Sequence, residues 1–242
     1  MITFNIYHIK QWAKTSDNVL AQLIKTLWLK SKAIEMPNIP FIFKALYIIH
    51  VVIKQIVSDV LRILYYTPLF KSRLSNKPKQ LYLYGGLPVV IGSLDITMGN
   101  KVRLAAMTTI SGRAVGNVIP QLVVGDNVGI AWRTSISVGS KITIGNNVRI
   151  AGDCYLAGYP GHPVNAKLRA LGKPDTESQI GDITLDDDVW LATGVKVMPG
   201  VTIGRGTIVA AGSVVTKDLP SYVLAAGAPA RIIKSIKEEI ND

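Results

Sequence analysis

Cysteine is nearly missing from this 242-residue chain. Cys154 alone represents it, which excludes a disulfide framework and a thiolate zinc site and fits a reducing compartment. Acidic residues are scarce at one end: residues 1–80 carry 12 Lys+Arg against 3 Asp+Glu, while the remainder carries 15 against 13. The net charge of +11 therefore belongs to the N-terminal third, an asymmetry that points to a local partner. The start of the chain lacks the basic, apolar, small-residue order of a cleavable signal peptide, so the expected location is the cytoplasm. No glycine-aromatic RNA motif and no DNA-reading motif is present, so nucleic acid is not an expected partner. What is abundant is apolar surface: 48% of residues, against 18% charged, enough for a substantial core.

Residues 1–79 lack glycine and read as a basic amphipathic α-helical extension. In "SDNVLAQLIKTLWLKSK", Ser16 or Asp17 offers an N-cap, and apolar residues at 19, 20, 23, 24, 27 and 28 keep helical spacing. The prolines at 37 and 40 end that helix. In "FIFKALYIIHVVIKQIVSDVLRILYYTPLF", the polar residues His50, Lys54, Ser58 and Arg62 stand four apart, one narrow stripe on an otherwise apolar helix. Lys54, Asp59 and Arg62 interrupt any run of about 18 apolar residues, so a membrane crossing is not expected. Two readings stay open: a helix lying in the headgroup layer of a membrane, or one packing on the protein or a neighbouring subunit.

From Leu81 the composition turns to glycine, valine, isoleucine and asparagine, with a six-residue beat. Aliphatic residues open the hexads at Val124, Ile130 and Ile136, then, after a two-residue slip, at Val138, Ile144, Ile150 and Leu156. The longest run is Leu185, Leu191, Val197, Ile203, Val209, Val215, with smaller residues four positions later at Val189, Val195, Val201, Thr207 and Ser213. A helix cannot generate a period of six. Six residues per side and three sides per coil can, each coil burying its core against its neighbours. The expected fold is mainly β: a left-handed parallel β-helix of hexapeptide repeats over 80–221, an exception to right-handed crossovers. Residues 222–242 form a tail in which "PARIIKSIKEEI" reads as a short C-terminal helix. Cys154, at a small position of its hexad, is an expected buried thiol without a catalytic part.

The beat stops over about 157–182, read as an inserted loop, and "YPGHPV" sits at its start. A regular β-helix wall cannot by itself form a pocket around a titratable group; an ejected loop can. Two prolines and a glycine around His162 stiffen its backbone, and an imidazole can take a proton from an alcohol during nucleophilic attack. The plainer alternative is an exposed loop histidine with no role.

The motif "GHPV", followed by "LR" and Gly172, precedes "DDDVWLATGVKVMPGVTIGRGTIVAAGSVVTKDLPSYVLAAGAPARIIK". Over about residues 81–237 the chain resembles the hexapeptide-repeat acyltransferases, in particular the galactoside and maltose O-acetyltransferase group. Residues 1–79 have no counterpart in the short sugar acetyltransferases. The resemblance implies acetyl-CoA as co-substrate, no metal, and His162 as general base for direct attack of a hydroxyl on the thioester. It places Trp190 and Thr193 beside the pantetheine arm, backbone N–H groups near Thr193 at the oxyanion, and Ala211, Thr216 and Lys217 farther along the groove. Arg231 and Lys234 match the basic pair that meets the CoA phosphates. Lysine replaces the family's arginine at 234, which keeps the charge without the bidentate fork. The acceptor side departs from the family: its asparagine and aspartate align near Ala131 and Gly139. Trp132 and Arg133 stand beside the first, an aromatic face for a sugar ring and a guanidinium for an acidic one.

The departure makes a free galactoside or maltose a poor expectation and favours a hydroxyl of a surface polysaccharide or lipid-linked glycan precursor. The basic N-terminus would bring the enzyme to it, peripheral on the inner face of the cytoplasmic membrane. The resemblance further implies a homotrimer with CoA grooves between prisms. Asp153, Asp182 or a backbone carbonyl are open as the group orienting His162. Rival readings are an antibiotic-inactivating acetyltransferase and a non-catalytic membrane-associated scaffold. A γ-class carbonic anhydrase needs three histidines around zinc, whereas His8 and His50 lie in the helical extension, away from His162. A serine acetyltransferase would carry an Asp-bearing histidine motif that is missing here.

Overall fold

The structure, a computed structural model, describes residues 6–116 and 118–237. The six-residue beat becomes walls. Leu185 stands beside Ile144 and Ile203, Leu191 beside Ile150 and Val209, and Val197 beside Leu156 and Val215, so every third hexad stacks in register. Parallel strands so related build the three walls of a left-handed β-helix, of seven, six and five strands among the described residues, with one antiparallel strand added to the first. All thirteen hexad-opening residues named above are buried, as are Val189, Val195, Val201, Thr207 and Ser213. Each such aliphatic side chain contributes about 1.5–3 kcal/mol.

The corners carry their own bonding. The Asn100, Asp126 and Asn146 N–H groups each donate to the Asx side chain one coil on, at 2.5, 2.8 and 2.7 Å, which satisfies backbone groups that no wall strand reaches. Gly145 is required in this column: a Cβ there would stand 2.6 Å from the Asp187 backbone nitrogen. The two-residue slip is one wider corner, the coil from Val124 to Ile144 being two residues longer than that from Leu185 to Ile203.

Coiling starts before the regular hexads. Leu83, Leu104 and Ile130 share one rung, and Ile96, Leu122 and Ile142 another. Phe70, on a short helix Thr67–Lys71, is 1% exposed and belongs to this core, with Tyr66 and Leu74 packed on it.

At the other end the expected short helix is corrected. Residues Ala230–Ser235 form a strand that folds back antiparallel on Val223–Gly227, itself the last strand of its wall. The last coil leaves an open row of N–H and C=O groups, and pairing with that edge outweighs the helical pattern of "ARIIKS". The rest of the expected helix, 238–240, lies outside the described residues.

Two compact units divide the chain, residues 1–53 and 54–242. In the first, helix α1 (Ile6–Thr15) and helix α2 (Val19–Lys32) bury, among the residues whose side chains are described, only Ala13 and Ala21. The Lys32 ammonium lies 3.8 Å over the Trp28 ring. The α2 cap is Asn18, not Ser16 or Asp17: its Oδ1 accepts from the Leu20 N–H at 2.9 Å, because the helix starts later, at Val19.

Helix α3 (Pro40–Leu61) continues through a π-helical turn (Arg62–Tyr66) into Thr67–Lys71. The charges do interrupt every apolar run of about 18 residues, as expected, yet the stretch remains a candidate span. The 32-residue helical stretch holds an 18-residue window of mean hydropathy 1.6, none of it buried, which is long and apolar enough to cross a membrane by length and composition. Every such window carries charge, Lys44 and Lys54 at the least, while Asp59 and Arg62 fall toward the end of the stretch.

Candidate functional site

The insertion leaves the second wall after Tyr155–Ala157 and rejoins the third at Ile183–Leu185. Its residues are tied to the prism by a buried guanidinium. Arg113, 7% exposed, donates from Nε to Asp175 Oδ1 at 2.6 Å and from Nη1 to Glu177 Oε1 at 2.7 Å, and Asp175 is 6% exposed. Burial pulls the Arg113 pKa down, but its hydrogen bonds to Glu177 and Asp175 outweigh it and the net direction is up.

This anchor clamps the peptides around His162. Asp175 Oδ2 accepts the Gly161 N–H at 3.0 Å, the His162 carbonyl accepts from Gln179 Nε2 at 3.1 Å, and the Pro163 and Val164 carbonyls accept from Arg169 Nη1, both at 2.9 Å. The imidazole itself is exposed and bonds to no described residue of its own chain. Neither expected carboxylate orients it. Asp153 binds Arg133, and Asp182 accepts from Ser140 Oγ and from the Lys141 N–H. The backbone clamp, and not a side chain on the ring, fixes where His162 stands.

The other expected residues fall on two corners and one wall. Trp190, 49% exposed, points outward from the first wall. Past that wall the coils turn at one corner, where the Asp153, Gly194 and Gly212 N–H groups donate to the Trp132, Gly152 and Thr193 carbonyls. Trp132, Thr193 and Ala211 therefore share a column. Thr193 and Ala211 are exposed, and their N–H groups donate to no acceptor among the described residues. Gly212 leaves this corner bare: a Cβ there would meet nothing within 4 Å. A narrow amide-bearing chain such as a pantetheine arm fits along that ledge, with unpaired N–H donors one coil apart beside it.

Thr216 and Lys217 follow the strand Val214–Val215 in the second wall, at the corner from which the insertion departs two coils earlier. Arg231 and Lys234 are exposed on the C-terminal strand, opposite Ala226 and Leu224. Within one chain the His162 loop and the Thr193 column are thus separated by the width of a wall. Arg133 is committed to Asp153 through two bonds of 2.6 and 2.7 Å, and the hydrogen bond from Arg133 holds the Asp153 pKa below its ordinary value. Trp132 stands edge-on to Tyr84 with centroids 5.1 Å apart. Cys154 is buried, its Sγ bonded to the Ala192 carbonyl at 3.3 Å, and burial pushes its thiol up to about 11, so it is no nucleophile at neutral pH. No cluster of three metal-ligating side chains occurs among the described residues.

Arg113, Asp175 and Gln179 were not singled out by the sequence. The one available signal was the pair of acids in "GKPDTE", which follow the loop's three basic residues Lys167, Arg169 and Lys173.

Comparison with known proteins agrees with the repeat. The bacterial transferase hexapeptide (six repeats) pattern matches residues 182–217. The chain is 41% identical over 119 residues to the galactoside O-acetyltransferase of Escherichia coli K12, covering 49% of this chain and 54% of the relative. It is 36% identical over 116 residues to that of Lactococcus lactis, covering 48% and 49%. The chain thus spans about half the length of these curated relatives. Among solved structures, AntD, an N-acyltransferase from Bacillus cereus in complex with dTDP and 3-hydroxybutyryl-CoA, superposes with a TM-score of 0.56 at 20% identity, over 72% of this chain and 90% of that one. At that identity the likeness speaks for the fold. Repeat, register and relatives together make this chain similar to the hexapeptide-repeat transferases over its coils.

Proposed function

We propose that the protein is an acetyl-CoA-dependent O-acetyltransferase that modifies a hydroxyl of a surface or lipid-linked glycan, with His162 as general base. The observation that carries this reading is the clamp. Four hydrogen bonds and a buried Arg113–Asp175 pair hold the peptides on either side of one exposed imidazole, a large investment for a residue without a task. Acetyl-CoA supplies the activated acyl carbonyl. His162 takes the proton of the acceptor hydroxyl as its oxygen attacks, and returns it to the departing sulfur. The Thr193 N–H is a free donor for the negative charge that develops on the carbonyl oxygen. Trp190, Ala211, Thr216 and Lys217 flank the pantetheine arm, with Arg231 and Lys234 at the phosphates, as in the acetyltransferases the chain resembles.

Because one prism separates the His162 corner from the Thr193 column, the working site is assembled between copies, in a homotrimer. Sedimentation at working concentration that finds only single chains would end that reading. His162→Ala should lower kcat by about 10²–10⁴ with little change in the KM for acetyl-CoA. Equal thiol release by variant and wild type on an accepted glycan would remove His162 from the chemistry. An enzyme that releases thiol only with antibiotics is the detoxifying alternative; one that releases none with any acceptor is a scaffold.

The protein works on the inner face of the cytoplasmic membrane, held there by its N-terminal helices. Support comes from the apolar stretch Pro40–Lys71, unburied in its best window, and from the basic excess of residues 1–80 beside it. Full-length protein should float with vesicles containing anionic lipid, and the form lacking residues 1–53 should float less. Release by high salt alone indicates headgroup binding, whereas resistance to both salt and carbonate indicates insertion; failure to float at all sinks the membrane reading.

A further inference from the structure

The first wall carries, on its outward face, one rung that reads Tyr82, Arg103, Gly129, Arg149, Trp190 from strand to adjacent strand. The rung forms the floor of a concavity of about 440 Å³, within the range of small-ligand sites. Gly129 makes the concavity: it leaves a gap between two arginines whose side chains close over it. A Cβ at this glycine would lie 3.4 Å from Arg149 Cδ and 3.8 Å from Arg103 Nη2.

Two guanidinium groups therefore share one dent. Among the described residues neither has a carboxylate partner, and the Arg103 side chain makes no hydrogen bond. Arg149 is fixed by Asn127, whose carbonyl accepts from Nη1 and whose Oδ1 accepts from Nη2 at 3.2 Å. Burial, and then the neighbouring Arg103, lower the Arg149 pKa from its ordinary value. Like charges held this close are unfavourable unless an anion joins them. The other arginines of the region are already answered. Arg133 is bound by Asp153, and Arg62, 4.4 Å over the Tyr82 ring, by Asp59.

Resting on the acetyltransferase reading above, we propose that the acceptor is an anionic glycan, its carboxylate or phosphate oxygens held by Arg103 and Arg149 across the dent at Gly129 and its rings lying between Tyr82 and Trp190. Trp190 is the end of the rung nearest the Thr193 column, and Arg103 lies three strand spacings away, about 14 Å. The acidic group is thus bound at a distance from the hydroxyl that reacts, which selects the polymer or precursor without entering the chemistry. Guanidinium forks match planar oxyanions, so an anionic group should be preferred over a neutral sugar of the same shape.

The test uses the full-length protein and three oligosaccharides identical except for a terminal hexose, hexuronate or hexose 6-phosphate. Binding is measured by calorimetry without acetyl-CoA, and acetyl transfer separately. The wild type should bind an anionic member at least about tenfold more tightly than the neutral one, with the advantage shrinking as salt rises. The better of hexuronate and phosphate identifies the oxyanion.

Arg103 has no bonded partner to lose, so Arg103→Gln should fold normally and remove about tenfold of the anionic affinity while sparing the KM for acetyl-CoA. Arg103→Lys should restore part of it. Gly129→Leu, which keeps both charges and fills the dent, should lose it as well. Equal binding of all three sugars by the wild type overturns the inference. So does a rise confined to the acetyl-CoA KM in Arg103→Gln, which would make this a donor site, or a change in its subunit number, which would make it a contact between copies. Arg103-dependent binding of the anionic sugar without any acetyl transfer would leave this site standing and defeat the acetyltransferase reading. Transfer to the neutral sugar, indifferent to Arg103, would do the reverse.

Discussion

Residues 6–53 and the coils that begin at Tyr82 are both rich in aliphatic side chains, yet they dispose of them in opposite ways. In the coils an aliphatic residue such as Leu191 finds Ile150 on one side and Val209 on the other, and water is excluded from the whole axis. Among the described residues of the helical unit only Ala13 and Ala21 are buried, while Val19 is 85% exposed and Phe41 84%. The difference lies in the period. A six-residue repeat brings each buried position a partner of its own kind three hexads later, so the chain supplies its own core. A helix that is apolar nearly all round has no such partner along its own sequence and needs a surface from elsewhere. The apolar fraction of the whole chain hides this distinction, because it averages a region that is self-sufficient with one that is not.

The largest effect that would sharpen this contrast is expected where the self-sufficient region holds charge. Asp175→Ala leaves Arg113 buried with the exposed Glu177 as its one charged partner, and it takes the acceptor from the Gly161 N–H. Breaking a buried pair from one side costs about 3–5 kcal/mol, read as a drop in the denaturant midpoint. Because the same carboxylate sets the His162 loop, kcat should fall in Asp175→Ala even at temperatures where the variant remains folded. Full activity in a destabilised variant would show that the clamp serves stability alone.

A smaller effect separates the two regions directly. Phe70 is 1% exposed in the β-helix core, so Phe70→Ala should cost about 3 kcal/mol or more. Phe41→Ala, on the exposed helix, should stay within about 0.5 kcal/mol in solution while weakening vesicle binding. Comparable losses of stability from both would mean that the helix packs as tightly as the coils and would undo the contrast. The placement of Phe70 also fixes where a truncation can be made. Removing residues 1–53 spares the core, whereas removing 1–79 takes out Phe70 and part of the end of the prism.

The hexads were legible because their information is local: an aliphatic opener and a smaller residue four positions later are forced by the shape of each corner. The earlier coils were not, since Leu83, Leu104 and Ile130 are separated by 21 and 26 residues and no fixed period survives the insertions. The C-terminal strand was misread for a related reason. Its partner edge, Val223–Gly227, exists only once the last coil is in place, so local helical pattern was the sole signal available. His162 could be singled out by its position in the break. The clamp around it could not, because Arg113 and Asp175 meet across 62 residues. Arg103 and Arg149 were equally hidden: their pairing over Gly129 depends on coil lengths that only the register reveals.

The smallest effect concerns Cys154, which tests how completely the coils exclude water. Its thiol is pushed by burial from 9.0 up to about 11, and it donates to the Ala192 carbonyl. A neutral alkylating reagent at pH 8 should therefore leave the native protein unlabelled and modify Cys154 only once the coils open. The sign of the pH dependence follows from the same shift. Above the unfolded pKa the unfolded chain has released a proton that the folded chain still holds, so stability should decline as pH climbs from about 9 toward 11; the decline should shrink in Cys154→Ala, leaving the part due to Tyr84, whose pKa burial also raises. That variant loses one buried hydrogen bond, a cost of about 1 kcal/mol, and should keep its kcat. Rapid labelling of the folded protein would mean that this corner of the prism opens readily to water, and the self-sufficiency attributed to the coils would then stop short of the column that carries Thr193.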